Sequence, residues 1–169
     1  PARDPQVSMA SWNVHHWRNR TWTDDSATVH EMAQFAVDLD VDVLALQDVR
    51  RGTAAESLLG AELTHRVEAY DLALYSRYPI VQWDQVDYPG DSGRIGFIWA
   101  DLLLPAGDTV RVVNVHLVST DVDLREAQSE QAKAGWWQSA KLLLRRMVRR
   151  AEPRSVQVEA LAEWWSASP

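Results

Sequence analysis

Val41 to Arg50 reads VDVLALQDVR. From Val41 to Val49 the run is short, β-branched and aliphatic, the signature of a strand buried on both faces rather than of a helix, and it ends in the polar pair Gln47 and Asp48. Just upstream, Val29, Met32, Ala33, Ala36 and Val37 recur at i, i+3, i+4, i+7 and i+8, which predicts an amphipathic helix, with Asp24, Asp25 and Ser26 as candidate N-caps. Further back, Gln6 to Asn13 alternates and then reaches Asn13, His15 and His16, as a strand does on leaving a core at a sheet edge. Strand, helix and buried strand in succession define an α/β chain.

The same reading extends downstream. Tyr70 to Ser76 and Pro79 to Trp83 are two short strands, parted at Arg77-Tyr78-Pro79 because proline removes a donor and forces its predecessor extended. Ile95 to Leu104 and Thr109 to Val118 flank Pro105-Ala106-Gly107-Asp108, a turn-rich tetrapeptide that predicts an antiparallel hairpin. The second of these strands carries Asn114, His116 and Ser119 at its end. Leu58 to Val67 fits no single pattern. From Leu124 to Arg150 the periodicity is helical, with Trp137, Ala140, Leu144, Met147 and Val148 on one stripe, and a further helix starts in Val156 to Trp165. The expected architecture is a mixed β-sheet, mainly one sheet, with helices on its outer face.

Composition narrows the chemistry. A chain of 169 residues, 46% of them hydrophobic, supports one domain that buries roughly 70% of its unfolded surface. No cysteine is present, so disulfides, thiolate ligands and a cysteine nucleophile are excluded, and a metal must be held by oxygen or imidazole. The formal charge is −7, yet six of the 17 basic residues and only one of the 24 acidic ones fall between Lys141 and Arg154. The remaining surface is therefore strongly acidic and repels polyanions. Nucleic acid stays open as a partner only through a local groove or bound cations; small phosphate esters are the easier substrates. Arg145, Arg146, Arg149 and Arg150 read as the solvated C-terminal face of a helix before they read as a nucleic-acid patch. Asp101 interrupts the apolar run Phe97 to Leu104, and no stretch nears the roughly 18 residues of a membrane span. The chain reads as soluble, starts at Pro1 as if trimmed, and shows no targeting segment that assigns a compartment.

Asn13, Asp48 and His116 each follow an apolar run, which would bring them to one rim. An amide oxygen with a carboxylate is hard oxygen ligation suited to Mg²⁺, which keeps several waters and takes further ligands from phosphate. A histidine beside that ion can donate to a phosphoryl oxygen. Each residue also has an ordinary explanation: Asp48 as a strand-end cap, His116 as a hydrogen-bonded core histidine, Asn13 as a turn residue satisfying the backbone. His15 is as readily a solvated loop residue as a metal neighbour. Trp136, Trp137, Trp164 and Trp165 read as core or interface anchors.

Four segments, in order, resemble landmarks of the endonuclease/exonuclease/phosphatase superfamily: SWNVHHW (Ser11 to Trp17), VDVLALQDVR, LALYSRYPI (Leu72 to Ile80) and VRVVNVHLVST (Val110 to Thr120). The resemblance implies the first half of a four-layer α/β/β/α sandwich. It implies Asn13 and Asp48 at a divalent metal, Mg²⁺ or else Mn²⁺, and His116 at the phosphoryl group. Asp48 stands where the family has a glutamate, which draws the carboxylate back by roughly one bond length, about 1.5 Å. The family's later GDxN and Ser-Asp-His motifs do not occur in these 169 residues. The chain is accordingly expected to be the N-terminal portion, residues 1–169, of a single domain that stops before its C-terminal half.

The expected activity is metal-dependent hydrolysis of a phosphodiester or phosphomonoester, with this chain inactive alone and a complementary C-terminal half as its partner. A lone layer pair is also expected to leave its inner apolar face open. The rival reading is a non-catalytic binding or assembly module built on the same fold. Absence of GDxN favours the rival for this chain; retention of Asn13 and His116 favours an active parent.

Overall fold

The computed structural model describes residues 6–17, 28–50, 54–90, 95–118 and 153–167. The chain divides into two units, one of Pro1–Asp87 and Asp91–His116, the other of Tyr88–Gly90 and Leu117–Pro169.

In the first unit, strand β2 (Val43–Gln47) is buried at all five positions, as its uninterrupted apolar run predicts. Strand β1 (Met9–Asn13) lies parallel to it, with Met9 opposite Val43 and Asn13 opposite Gln47. On its other side β4 (Leu72–Ser76) is antiparallel, Gln47 facing Leu72, and β3 (His65–Ala69) completes the order β1-β2-β4-β3. Alternate residues serve opposite faces. Leu44, Leu46, Ala73 and Tyr75 meet α1 (Val29–Asp38) and α2 (Ala54–Glu62) through Ala33, Ala36, Ala55 and Leu59. Full burial of a leucine such as Leu44 or Leu46 contributes on the order of 2 kcal/mol. Val43, Ala45, Val67, Leu72 and Leu74 point the other way.

Those residues meet Ile98, Ala100, Leu102 and Val112, which belong to a second sheet. It comprises β5 (Ile80–Asp87), β6 (Gly96–Leu103) and β7 (Thr109–Val115), antiparallel in chain order. The fold is mixed α/β, but the strands form two sheets rather than mainly one, and the inner face expected to stand open is covered from within the chain. Alternation tells which side of a strand is apolar, not which strand it packs on, so the break at Arg77-Tyr78-Pro79 concealed a change of layer. At Gly96, the first residue of β6, a Cβ would overlap the Val86 carbonyl oxygen and lie 2.8 Å from the Tyr70 ring, so the close approach there requires glycine.

Two local readings are also revised. Helix α1 is capped by Thr28, whose hydroxyl accepts from the Glu31 N–H while the Glu31 carboxylate accepts from the Thr28 N–H. This capping box satisfies two helix-end donors at once; Asp24, Asp25 and Ser26 lie outside the described residues. The segment Leu58 to Val67 fits no single pattern because it holds the end of α2 and the start of β3. In the second unit residues 153–167 are helical, and Gln157 Oε1 accepts from the Val118 N–H at 2.8 Å. The helix expected over Leu124 to Arg150 lies outside the described residues. Among the described residues no helix is long and apolar enough to cross a membrane.

Candidate metal and phosphate site

Parallel pairing of β1 with β2, and antiparallel pairing of β2 with β4, bring Asn13, Asp48 and the β3–β4 turn to the same end of the first sheet. Strand β7 ends against that edge. Asn13 Nδ2 lies 3.3 Å from His116 Nε2, while Asn13 Oδ1 accepts from the His15 N–H at 3.0 Å. That second bond fixes the amide's orientation and leaves its NH₂ toward His116. His15 Nδ1 lies 3.2 Å from Asp48 Oδ2, and His16 Nε2 lies 2.9 Å from Asp48 Oδ1. Asn13 and Asp48 are thus linked through His15, and all three residues marked in the sequence belong to one cluster.

Backbone strain collects at this end. His15, His16 and Trp17 form a left-handed turn, with φ of 46°, 56° and 59°, and Asp48 and Tyr70 are also left-handed, at 59° and 56°. Each such residue costs roughly 1–2 kcal/mol. The turn is held by burial of Val14 and Trp17 and by donation from Val14 N–H to the Gln47 carbonyl and from His16 N–H to the Asp48 carbonyl, at 2.9 and 2.6 Å. Strain maintained in this way is typical of functional loops, and here it presents two imidazoles to one carboxylate.

The structure adds a residue that the sequence reading missed. Asp71 Oδ2 lies 2.7 Å from His116 Nδ1. Burial works against ionisation of Asp71, yet the hydrogen bond from His116 and then its charge hold the carboxyl below its usual range. The same bond is the main reason His116 is raised above an ordinary histidine; burial opposes it, and the charges of Asp71 and Asp48 assist. Asp71 therefore fixes the ring, with Nδ1–H inward and Nε2 outward. With Nδ1 protonated, Nε2 can accept from the Asn13 NH₂ in the neutral ring and becomes a donor in the imidazolium.

Among the described residues no group of three or more histidine and carboxylate side chains is arranged to hold a metal ion. The donor set at Asn13 and Asp48 nevertheless fits a hard cation that keeps most of its waters. An amide oxygen has two lone pairs and a carboxylate about four, more than the His15 N–H and two imidazoles use.

The family model described as Endonuclease/Exonuclease/phosphatase family matches residues 10–154. No curated protein gives a significant match. Among solved structures, an endonuclease/exonuclease/phosphatase from Beutenbergia cavernae is 18% identical with a TM-score of 0.53, over 67% of this chain and 38% of that one. Humanized D. rerio TDP2 is 16% identical with a TM-score of 0.52, over 76% of this chain and 60% of that one. D. rerio TDP2 complexed with single strand DNA product is 16% identical with a TM-score of 0.52, over 79% and 57%. These likenesses carry the fold, and the chain spans only about two fifths to three fifths of those structures. Taken with the match over residues 10–154, they give one assignment: this chain belongs to the endonuclease/exonuclease/phosphatase family.

Proposed function

We propose that this chain carries the metal- and phosphate-binding part of a divalent-metal-dependent phosphoesterase, with Asn13 and Asp48 as metal ligands and His116 as the phosphate contact. The observation that carries the reading is the cluster itself, in which Asn13 touches His116 and is joined to Asp48 through His15. Family membership supports metal-dependent phosphoester chemistry in general; Mg²⁺, with Mn²⁺ as a substitute, is the choice that the oxygen donors favour.

A bound divalent cation would polarise a phosphoryl oxygen and offset the charge that develops there. His116 donates from Nε2 to a second phosphoryl oxygen, stabilising the more charged transition state over the ground state. Asp71 holds the ring and favours its charged form. The Asn13 NH₂ lies beside Nε2 and can donate to the same phosphate. Asn13, Asp48, Asp71 and His116 bind and orient, and none of them is assigned general-base work on the attacking water. One structural neighbour holds a single strand DNA product, which supports a phosphodiester as the substrate class; the acidic balance of this chain favours small or locally bound esters over extended polyanions.

The test is calorimetric titration of the purified chain with Mn²⁺, then with inorganic phosphate in the presence of Mn²⁺. Both should bind, and Asp48→Ala should abolish the Mn²⁺ isotherm while circular dichroism stays unchanged. Equal Mn²⁺ binding by the wild type and Asp48→Ala would overturn the assignment.

A further inference from the structure

Beneath the candidate site lies a polar layer that the proposed chemistry does not use. Gln47 Nε2 donates to Asn114 Oδ1 at 2.7 Å and to Ser11 Oγ at 3.1 Å. Asn114 Nδ2 donates to two backbone carbonyls of the facing sheet, Leu46 and Ala73, each at 2.9 Å. Asn114 is 2% exposed and Gln47 9%. One amide pair thus joins β1, β2 and β4 of the first sheet to β7 of the second.

The placement follows the strand period. Ser11 and Asn13 share a face of β1, Gln47 lies opposite Asn13 in register, and Asn114 of β7 stands two positions before His116, which follows the strand. A member of the layer therefore precedes each site residue by one or two positions: Ser11 before Asn13 on β1, Gln47 at the end of β2 before Asp48, and Asn114 on β7 before His116. The neighbouring contact between the sheets includes an apolar cluster, Val43, Ala45 and Leu74 with Ile98, Ala100 and Val112. Such packing is non-directional, and it tolerates small slides of one sheet over the other. Burying two amides adds little net stability, because their dehydration offsets much of the bonding. What a hydrogen-bonded pair adds is direction.

We propose that the Gln47–Asn114 amide pair is a positioning element that fixes β7 against the first sheet, and so sets the separation between the metal side of the site, Asn13 and Asp48, and its phosphate side, His116. The inference rests on the proposed function. Gln47 and Asn114 touch neither ligand. Their contribution is to let one phosphate reach both sides at once, so it appears as coupling between the two ligands rather than as affinity for either alone.

The experiment uses the full 169-residue chain, with Mn²⁺ and inorganic phosphate as probes. In the wild type Mn²⁺ should tighten phosphate binding by about 10-fold or more. In the paired variant Gln47→Met/Asn114→Leu, which removes both amides together and avoids stranding either one, the tightening should fall below about 2-fold, with each ligand alone bound within about 3-fold of wild type. A folded paired variant that keeps the wild-type coupling overturns the proposal. If the paired variant does not fold, Gln47→Met alone decides, since it removes the bond to Asn114 Oδ1 and leaves the Asn114 bonds to the Leu46 and Ala73 carbonyls in place: reduced coupling supports the proposal and unchanged coupling overturns it. Failure of the proposed function is separately visible, because the wild type would then show no Mn²⁺ binding that depends on Asp48, and the inference would fall with it.

Discussion

His116 Nδ1 and Asp71 Oδ2 are 2.7 Å apart although 45 positions separate them in the chain. The pair gives the phosphate-facing ring a fixed orientation and a preferred charge. His116 is raised and Asp71 lowered by the same bond. A raised histidine contributes stability that is complete below its unfolded pKa and lost as pH rises through the folded one; a depressed carboxylate contributes stability present above its unfolded pKa and lost as pH falls through the folded one. The pair therefore stabilises the fold fully between the ordinary pKa of an aspartate and that of a histidine, and the contribution is lost as pH falls through the lowered Asp71 pKa or rises through the raised His116 pKa. Asp71→Asn keeps the shape and removes the charge, so the His116 ring protons, followed by NMR, should titrate at lower pH than in the wild type. An unchanged midpoint would show that Asp71 does not govern the ring.

Thr28→Ala should cost about 1 kcal/mol, the usual cost of losing an N-cap, because it removes the hydroxyl that accepts from the Glu31 N–H, while the backbone N–H of residue 28 can still donate to the Glu31 carboxylate. Substituting Ser26 instead should leave stability nearly untouched. Urea denaturation of the two variants separates the observed cap from the one that the local sequence suggested.

Gly96→Ala should destabilise by about 3 kcal/mol or fail to fold, since overpacking costs of order 1–3 kcal/mol and the new Cβ would meet the Val86 carbonyl and the Tyr70 ring. Gly107→Ala has open space around it but a φ of 94°. Its cost should be about 1–2 kcal/mol, from backbone strain alone. Similar thermal shifts for the two would argue against the close approach of β5 and Tyr70 at Gly96.

These contrasts also show what a single sequence discloses. Strand β2 was legible because each of its five residues is buried, so an apolar run without alternation had one good structural meaning. Helix α1 was legible from its apolar stripe. Asn13, Asp48 and His116 were marked because strand ends bring polar residues to a rim, and the family motifs singled out the same three. Asp71 was not, because an aspartate beside a turn is commonplace and nothing local announces a histidine 45 residues away. The second sheet escaped notice for the same reason: pairing between layers is a long-range property, and the period of a strand records only its apolar side. The left-handed turn at His15, His16 and Trp17 has no glycine to signal it; burial of Val14 and Trp17 imposes it from outside.

The central claim is that Asn13, Asp48 and His116 form one site for a divalent cation and a phosphate, and the most direct measurement is a crystal structure of the chain with Mn²⁺ and inorganic phosphate, read from the manganese anomalous signal. One ion is expected within roughly 2.2 Å of Asn13 Oδ1 and an Asp48 oxygen, sharing a phosphate whose oxygen accepts from His116 Nε2 at about 2.8 Å. An ion held elsewhere, or a phosphate that reaches the metal without touching His116, would contradict it.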